Sequence, residues 1–461
     1  MSGFFYFRSM KMLFALLLLV PAGSGWAQLR LEEIHTDFVL YNRRVTLEKD
    51  LRERVVARHF AEPLDSDSED GYLSACWAVG QFLFDGPEVR AGFGRLFTGY
   101  DPLTRDTRLA LLEAVYAVEP AHYRTDMAAV LAREQDPKLF SLAAVYLYRA
   151  DTSLAHVDSL KISMVERFPG YDTVAVLREL LNYLGNDGAQ RRAATPPIAE
   201  LLGMARSLDS KVVYSFQRWD RDYPGLAIVQ YADGHFACDA DGRLQVFPQL
   251  ARSGPGVPYF LTNGNTPQGV FSIQGTDVSH TDFIGPTPNL QLLLPGEGKW
   301  ADYFHDTAAA DGSGGVADLD TVQTSERYWD LLPARWRGYA PMREAYAAGA
   351  VGRTEIIAHG TTIDPEYYKG WPFYPLTPTM GCLCAKELWN PTSGHPLVSE
   401  QNNLMNAFQA TPEIGRMPKA EGRRRSDRGW LVVVNVDDRR GPVSRAEVEA
   451  WVQEYKKQNP R

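Results

Sequence analysis

Two patterns of apolar positions divide this chain near residue 210. Before that point apolar residues recur three and four apart, the period of an amphipathic helix. Three such runs, DTRLALLEAVYAV from Asp106, DPKLFSLAAVYLY from Asp136 and DTVAVLRELLNYL from Asp172, open on an aspartate. A carboxylate there accepts the orphan N–H groups of a first helical turn, so helices are predicted to start at these three residues. Starts 30 and 36 residues apart fit two helices per unit. Residues 28–202 are therefore expected to form an α-helical domain, either a short HEAT-like array or an irregular helical block. Asn186 to Pro197, polar and closed by a proline pair, reads as a linker, with the short helix IAELLGMARSL after it.

From Lys211 the pattern becomes that of strands. LAIVQYADGHFACDADGRLQVFPQL sets β-favouring runs between Asp-Gly turns, the chemistry a hairpin needs. In TPQGVFSI, Pro267 fixes φ and Gly269 permits a tight turn, after which Phe271 and Ile273 fall on one face. RGWLVVVNVDD reads as a buried closing strand, and SRAEVEAWVQEYKK as a docking helix with a capping box, Ser444 with Glu447, and an apolar stripe of Val448, Trp451, Val452 and Tyr455. The predicted class is multidomain α+β. Its parts are the helical domain, a mostly-β domain over 203–440 with an insertion at about 274–350, and a C-terminal helix over 441–461. Within the insertion AAADGSGGVAD reads as a loop. ERYWDLLPARWRGYAPMREAYAAG reads either as a packed helical insert or as a source of Arg335, Arg337 or Arg343 for a substrate carboxylate.

Residues 1–27 carry a basic region (Arg8, Lys11), an apolar run from Met12 to Val20 and the small-x-small site Gly25-Trp26-Ala27. That is the layout of a secretory signal; an uncleaved anchor is the alternative, opposed by Pro21-Ala22-Gly23-Ser24. No other apolar stretch is long enough to span a bilayer, so the expectation is an exported protein of the periplasm or cell envelope, with no stable membrane span after cleavage. The 434 residues left are ample for several cores. A net charge of −9 argues against a nucleic-acid partner or an anionic membrane surface. Four cysteines are too few for a disulfide scaffold; Cys76 reads as a core thiol and Cys238 as a strand residue.

Candidate chemistry gathers between Thr354 and Trp389. The apolar run Ile356-Ile357-Ala358 ends in His359-Gly360, and an aromatic loop leads to Thr379-Met380-Gly381-Cys382, so that 23 positions separate the imidazole from the thiol. Thiolate is the nucleophile, and an adjacent His serves it as base or as the imidazolium of an ion pair. Gly381 allows a sharp turn beside the sulfur, aiming the Gly381 and Cys382 N–H groups at an oxyanion.

His-Gly, a loop, then Thr-x-Gly-Cys resembles the signature of L,D-transpeptidases of the YkuD type, and the upstream Thr-Pro-x-Gly-x-Phe-x-Ile segment resembles a second motif of that family, in the same order. The resemblance covers about Leu226 to Asp437. It implies a mostly-β YkuD-like domain in which Cys382 is the acylated nucleophile, His359 its base and Gly360 the residue whose carbonyl orients the imidazole. It further implies peptidoglycan stem peptides as substrate and a part in cell-wall biogenesis and cell shape, with no cofactor and no metal. Thr379, Trp371, Tyr374 and Arg337 are the substrate-binding candidates. Two positions depart from the family: Met380 stands where many members have a second His, and Cys384 where they have Arg or Asn. Transfer to an amine, hydrolysis as an L,D-carboxypeptidase or amidase, and a non-catalytic envelope scaffold all remain open, with the helical domain a candidate seat for an envelope protein.

Other readings of the same residues exist. His359, Cys382, Cys384 and His395 are metal-ligand types, although Cys-x-Cys is not a usual structural-zinc spacing. A Cys382–Cys384 disulfide needs a local bend, since residues i and i+2 of a strand lie roughly 6.5 Å apart at Cα. Cys384 reads as a small buried filler or as a thiol that captures oxidised Cys382. The rings of Tyr367, Tyr368, Trp371, Phe373 and Tyr374 read equally as packing or as a substrate wall.

Overall fold

The computed structural model describes residues 30–192, 194–306, 321–410 and 427–460. The expected signal segment 1–27 and the AAADGSGGVAD stretch lie outside the described residues. The chain is α+β: an N-terminal helical region followed by a β region built on a closed eight-stranded barrel.

Seven successive helices, Glu69–Phe82, Pro87–Thr98, Arg105–Val118, Arg124–Arg133, Pro137–Ala150, Leu154–Arg167 and Ala175–Arg192, make up most of the helical region. Arg105–Val118, Pro137–Ala150 and Ala175–Arg192 lie side by side, because each buries its apolar stripe against the next. The three aspartates behave differently. Asp136 is an N-cap, accepting from Lys138 N (2.8 Å) and Leu139 N (3.1 Å). Thr104 caps the helix that holds Asp106, two residues earlier than expected, and Asp172 lies in a 3₁₀ turn ahead of its helix. The expected linker is also shorter, because the last helix continues to Arg192 before the proline pair stops it. No described helix is long and apolar enough to cross a membrane.

The barrel strands are β1 (Val212–Arg218), β2 (Gly225–Gln230), β3 (Phe247–Leu250), β4 (Gly269–Asp277), β5 (Asn289–Leu293), β6 (Ile357–His359), β7 (Leu383–Ala385) and β10 (Gly429–Asp437). Their order around the barrel is β1-β10-β4-β5-β6-β7-β3-β2, and a two-stranded ribbon of β8 (Glu387–Trp389) and β9 (Pro396–Ser399) stands beside it. Alternation along each strand makes two cores. Val213, Ala227, Phe247, Phe271, Leu290, Ala358, Leu383 and Leu431, one from every barrel strand, fill the interior. The Glu400–Gln409 helix adds Leu404, Met405 and Phe408 to that cluster. Val212, Tyr214, Phe216, Val270 and Val432 point outward, to be covered by the C-terminal helix Arg445–Gln458 and by Tyr328, Trp336 and Met342. The capping box at Ser444 and Glu447 forms as the pattern indicates. Phe271 and Ile273 share the interior face, and Gly269 sits at φ +132° ahead of them. Trp336 and Tyr328 are fully buried, so the 326–349 segment packs on the barrel as a helical insert. The expected insertion 274–350 is in part barrel wall, since it contains β5, which pairs with β4 and β6. The short helices Ile198–Leu201 and Met204–Ser207 join the outer barrel cluster rather than the helical core.

One large cluster joins the two regions. Leu250, Val257, Phe260, Leu261, Val351, Tyr368 and Phe373 of the β region pack with Phe82, Leu112, Val115 and Leu180 of the helical region. Tyr368 Oη donates to Gln81 O (2.9 Å), and a Cβ on Gly254 would stand 2.8 Å from Gly80 O, so the two backbones nearly touch.

Candidate active site

His359 ends β6, and Cys382 immediately precedes β7. The two strands are parallel, with Ala358 opposite Leu383 and His359 opposite Cys384. Ala358 and Leu383 belong to the interior cluster, so alternation turns His359 and Cys384 to the other face. Cys382 stands one residue before β7 and its sulfur lies against the backbone of the chain entering β6, so the pairing of β6 with β7 brings His359 and Cys382 to neighbouring strand ends.

The imidazole is held by one bond. His359 Nδ1 lies against Gly360 O, and because a carbonyl only accepts, Nδ1 carries the proton and Nε2 keeps its lone pair. Among the described residues the ring makes no other hydrogen bond. His359 is 4 % exposed, and burial pulls its pKa down to about 4, against the Gly360 bond that favours the charged form. Gly360 is itself fixed from behind, since a Cβ there would stand 2.2 Å from Glu387 Oε2. Glu387 is buried, accepts from Thr361 N (2.8 Å) and Ser399 Oγ, and is pushed up to about 7, chiefly by burial.

Cys382 is half-buried, with Ile357 N donating to its sulfur (3.5 Å) and the thiol facing Glu355 O (3.6 Å). Burial pushes the thiol up to about 11; the Ile357 N–H and Arg353 pull it back, while Glu355 and Glu297 add to the rise. At neutral pH the resting pair is thus a thiol and a neutral imidazole, which favours proton transfer during reaction over a preformed ion pair.

Gly381 lies at φ +117°, the left-handed region that favours glycine, and forms the turn before the sulfur. Thr379 is buried and braces that turn: its Oγ1 donates to Cys382 O (2.9 Å) and accepts from Gly381 N (3.1 Å). The Gly381 N–H, expected as an oxyanion donor, is therefore bonded within the turn to the threonine hydroxyl. Thr266 Oγ1 adds a bond to Gly381 O (2.9 Å).

Comparison of the chain with protein-family models, curated proteins and solved structures finds no match.

The remaining candidates separate. Trp371 is half-buried in the cluster that joins the two regions, with the Arg252 guanidinium 5.3 Å from its ring centre and 4.9 Å from that of Phe373. Tyr374 is exposed and donates to Glu366 Oε1 (2.7 Å). Arg337 binds Asp330 (2.8 Å) and Leu332 O (3.1 Å) within its own insert, and shares no partner with Cys382 or His359. Arg335 pairs with Glu200 (2.7 Å), and Arg343 is exposed beside Tyr346. Cys384 is 1 % exposed, lies 3.4 Å from Thr377 Oγ1 and is pushed up to about 12 by burial, the surroundings of a filler. His395 Nδ1 contacts Ile34 O (2.7 Å), away from the other three metal-ligand types, and among the described residues no three His, Cys, Asp or Glu side chains are grouped to hold a metal.

Two residues that sequence reasoning passed over lie behind the turn that carries Cys382. Arg353, in the GRTEII segment entering β6, is buried beneath the turn; Glu113 is buried within the Arg105–Val118 helix, where burial pushes it up to about 8. A signal existed for Glu113, a lone carboxylate inside the apolar run LALLEAVYAV. Arg353 had none, as its role depends on contacts from distant segments.

Proposed function

We propose that this protein is an exported, cysteine-dependent acyltransferase of L,D-transpeptidase type that acts on peptidoglycan stem peptides in the cell envelope. The observation that carries the reading is that the parallel pairing of β6 and β7 brings His359 and the turn bearing Cys382 to neighbouring strand ends, with Nδ1 tied to Gly360 so that Nε2 is the basic nitrogen. The order of the His-Gly, Thr-x-Gly-Cys and Thr-Pro-x-Gly-x-Phe-x-Ile segments supports it further.

In this reading the substrate amide carbonyl enters above Cys382. The thiol proton passes to His359 Nε2 as the sulfur attacks, giving a tetrahedral oxyanion and an imidazolium. Because the Gly381 N–H is held by Thr379, the Cys382 amide is the turn's candidate donor to that oxyanion. Collapse breaks the C–N bond, the leaving amine takes the proton from His359, and a thioester remains on Cys382. An amine from a second stem peptide then loses a proton to His359 as it attacks the thioester; the C–S bond breaks, the sulfur takes that proton back from the imidazolium and the amine keeps the acyl group, while water in its place gives hydrolysis. Depressed to about 4, His359 stays available as a base through the neutral range. Burial of His359 keeps bulk water from the imidazole.

The experiment is incubation of the purified protein with muropeptides, with mass spectrometry of products and enzyme. New cross-links or shortened stems that disappear with Cys382→Ala and with His359→Ala support the reading. An unaltered muropeptide pool and no adduct on Cys382 would leave the non-catalytic scaffold in its place.

A further inference from the structure

Arg353 is 7 % exposed, yet among the described residues no carboxylate is bonded to it. Its Nη1 donates to Tyr259 O (2.5 Å) and Asn265 O (2.9 Å), and its Nη2 to Gly264 O (2.9 Å). Three neutral carbonyls satisfy the donors but leave the charge unbalanced, which is costly in a buried position. A Cβ on Gly381 would stand 2.3 Å from Nη2, so the guanidinium presses on the residue directly before the nucleophile.

The cradle of carbonyls is held from the helical region. Asn263, at φ +53°, donates through Nδ2 to both oxygens of Glu113 (2.9 and 3.2 Å), and Tyr259 Oη donates to Glu179 Oε1 (2.5 Å). Tyr259 is itself one of the three residues that bind Arg353, and Asn263 directly precedes the other two, Gly264 and Asn265. From the same loop, Thr266 Oγ1 reaches the carbonyls of Gly381 and Cys382 (2.9 and 3.2 Å). A continuous set of contacts therefore runs from two helices of the N-terminal region to the turn that carries the sulfur.

We propose that Arg353 is a positioning residue that supplies the counter-charge of the Cys382 thiolate, and that Glu113 and Glu179 of the helical region hold it there, making that region part of the reactive unit. The inference rests on Cys382 being the nucleophile. The charged groups around the sulfur are Arg353, Glu355 and Glu297, with His359 at the end of the neighbouring strand; those around Arg353 are Cys382 and Glu113. Arg353 is the one cation in this set of fixed charges, so its removal leaves the thiolate facing carboxylates alone.

The test is alkylation of the intact protein by iodoacetamide, a neutral probe, between pH 7 and 10, with each cysteine quantified by peptide mass spectrometry. Exposed Cys238 is the internal reference, while Cys76 and Cys384 are buried. Arg353→Met should slow labelling of Cys382 about tenfold relative to Cys238, the equivalent of about one pH unit in thiol ionisation, and Arg353→Lys should restore part of it. Glu113→Ala should slow Cys382 at least threefold, with recovery in Glu113→Gln, whose amide oxygen still accepts from Asn263. Wild-type labelling of Cys382 in folded Arg353→Met overturns the proposal. If that variant does not fold, wild-type labelling in Glu113→Ala overturns it equally. Because alkylation requires no acyl donor, a protein that alkylates as described yet transfers no acyl group counts against the function proposed above and not against the role of Arg353.

Discussion

Replacing Gly381 with alanine tests how the turn is built. Its φ of +117° costs an L residue roughly 1–3 kcal/mol. The added Cβ would also stand 2.3 Å from Arg353 Nη2 and 2.7 Å from Gly264 O. Both atoms belong to one hydrogen bond, Arg353 Nη2 to Gly264 O, so relief means opening it. A hydrogen bond to a charged group contributes about 1.5–3 kcal/mol, which brings the loss to around 3–6 kcal/mol, a large share of the 5–15 kcal/mol typical of a folded protein. At about 2–4 °C per kcal/mol for a domain of this size, Tm should fall by on the order of 10 °C. The displacement centres on the residue before the nucleophile, so labelling of Cys382 should fall relative to Cys238 at temperatures where the variant is still folded. Scanning calorimetry with thiol labelling reads both. A Tm within a degree or two of wild type, with Cys382 labelled normally, would refute the close approach of Arg353 to the turn.

Other consequences follow from burial. With Nε2 as the base and its pKa near 4, the acid limb of kcat/KM against pH should lie close to 4 to 5; a limb near the ordinary histidine value of 6.5 would mean that water reaches the ring. Glu113, raised to about 8, keeps its proton in the fold while the unfolded chain loses it, so its contribution is fully present below about pH 4.5 and is lost as pH rises to about 8. Tm of wild type measured against Glu113→Gln should show the wild type losing ground between pH 5 and 8, and a constant difference would sink this assignment. Phe373→Ala should cost about 3–5 kcal/mol in thermal or denaturant unfolding, because the ring is fully buried between the two regions; a loss under 1 kcal/mol would place the loop outside the interface.

What the sequence disclosed was what depends on near neighbours. The capping box at Ser444, the run of β10, the shared face of Phe271 and Ile273, and the strand that ends at His359 all rest on spacings of a few residues, and each forms as the spacing indicates. The start of the Arg105–Val118 helix shifted to Thr104 because Thr and Asp both suit a cap and only packing chooses between them. β5 was hidden inside an apparent insertion, since its partners β4 and β6 give it meaning only in three dimensions. The aromatic loop shows composition without direction: Tyr368 and Phe373 face the helical region, whereas Tyr374 faces solvent. Arg353 could not be assigned at all, as its three acceptors lie about ninety residues upstream.

The central claim, that Cys382 is acylated with His359 as its base, is tested most directly by intact-protein mass spectrometry during turnover of a stem-peptide donor. The expected spectrum shows one acyl adduct, mapped to Cys382, that disappears when an amine acceptor is added and is lost in Cys382→Ala, with its formation slowed at least a hundredfold in His359→Ala. An adduct on Cys238, or formation at the wild-type rate in His359→Ala, would contradict it.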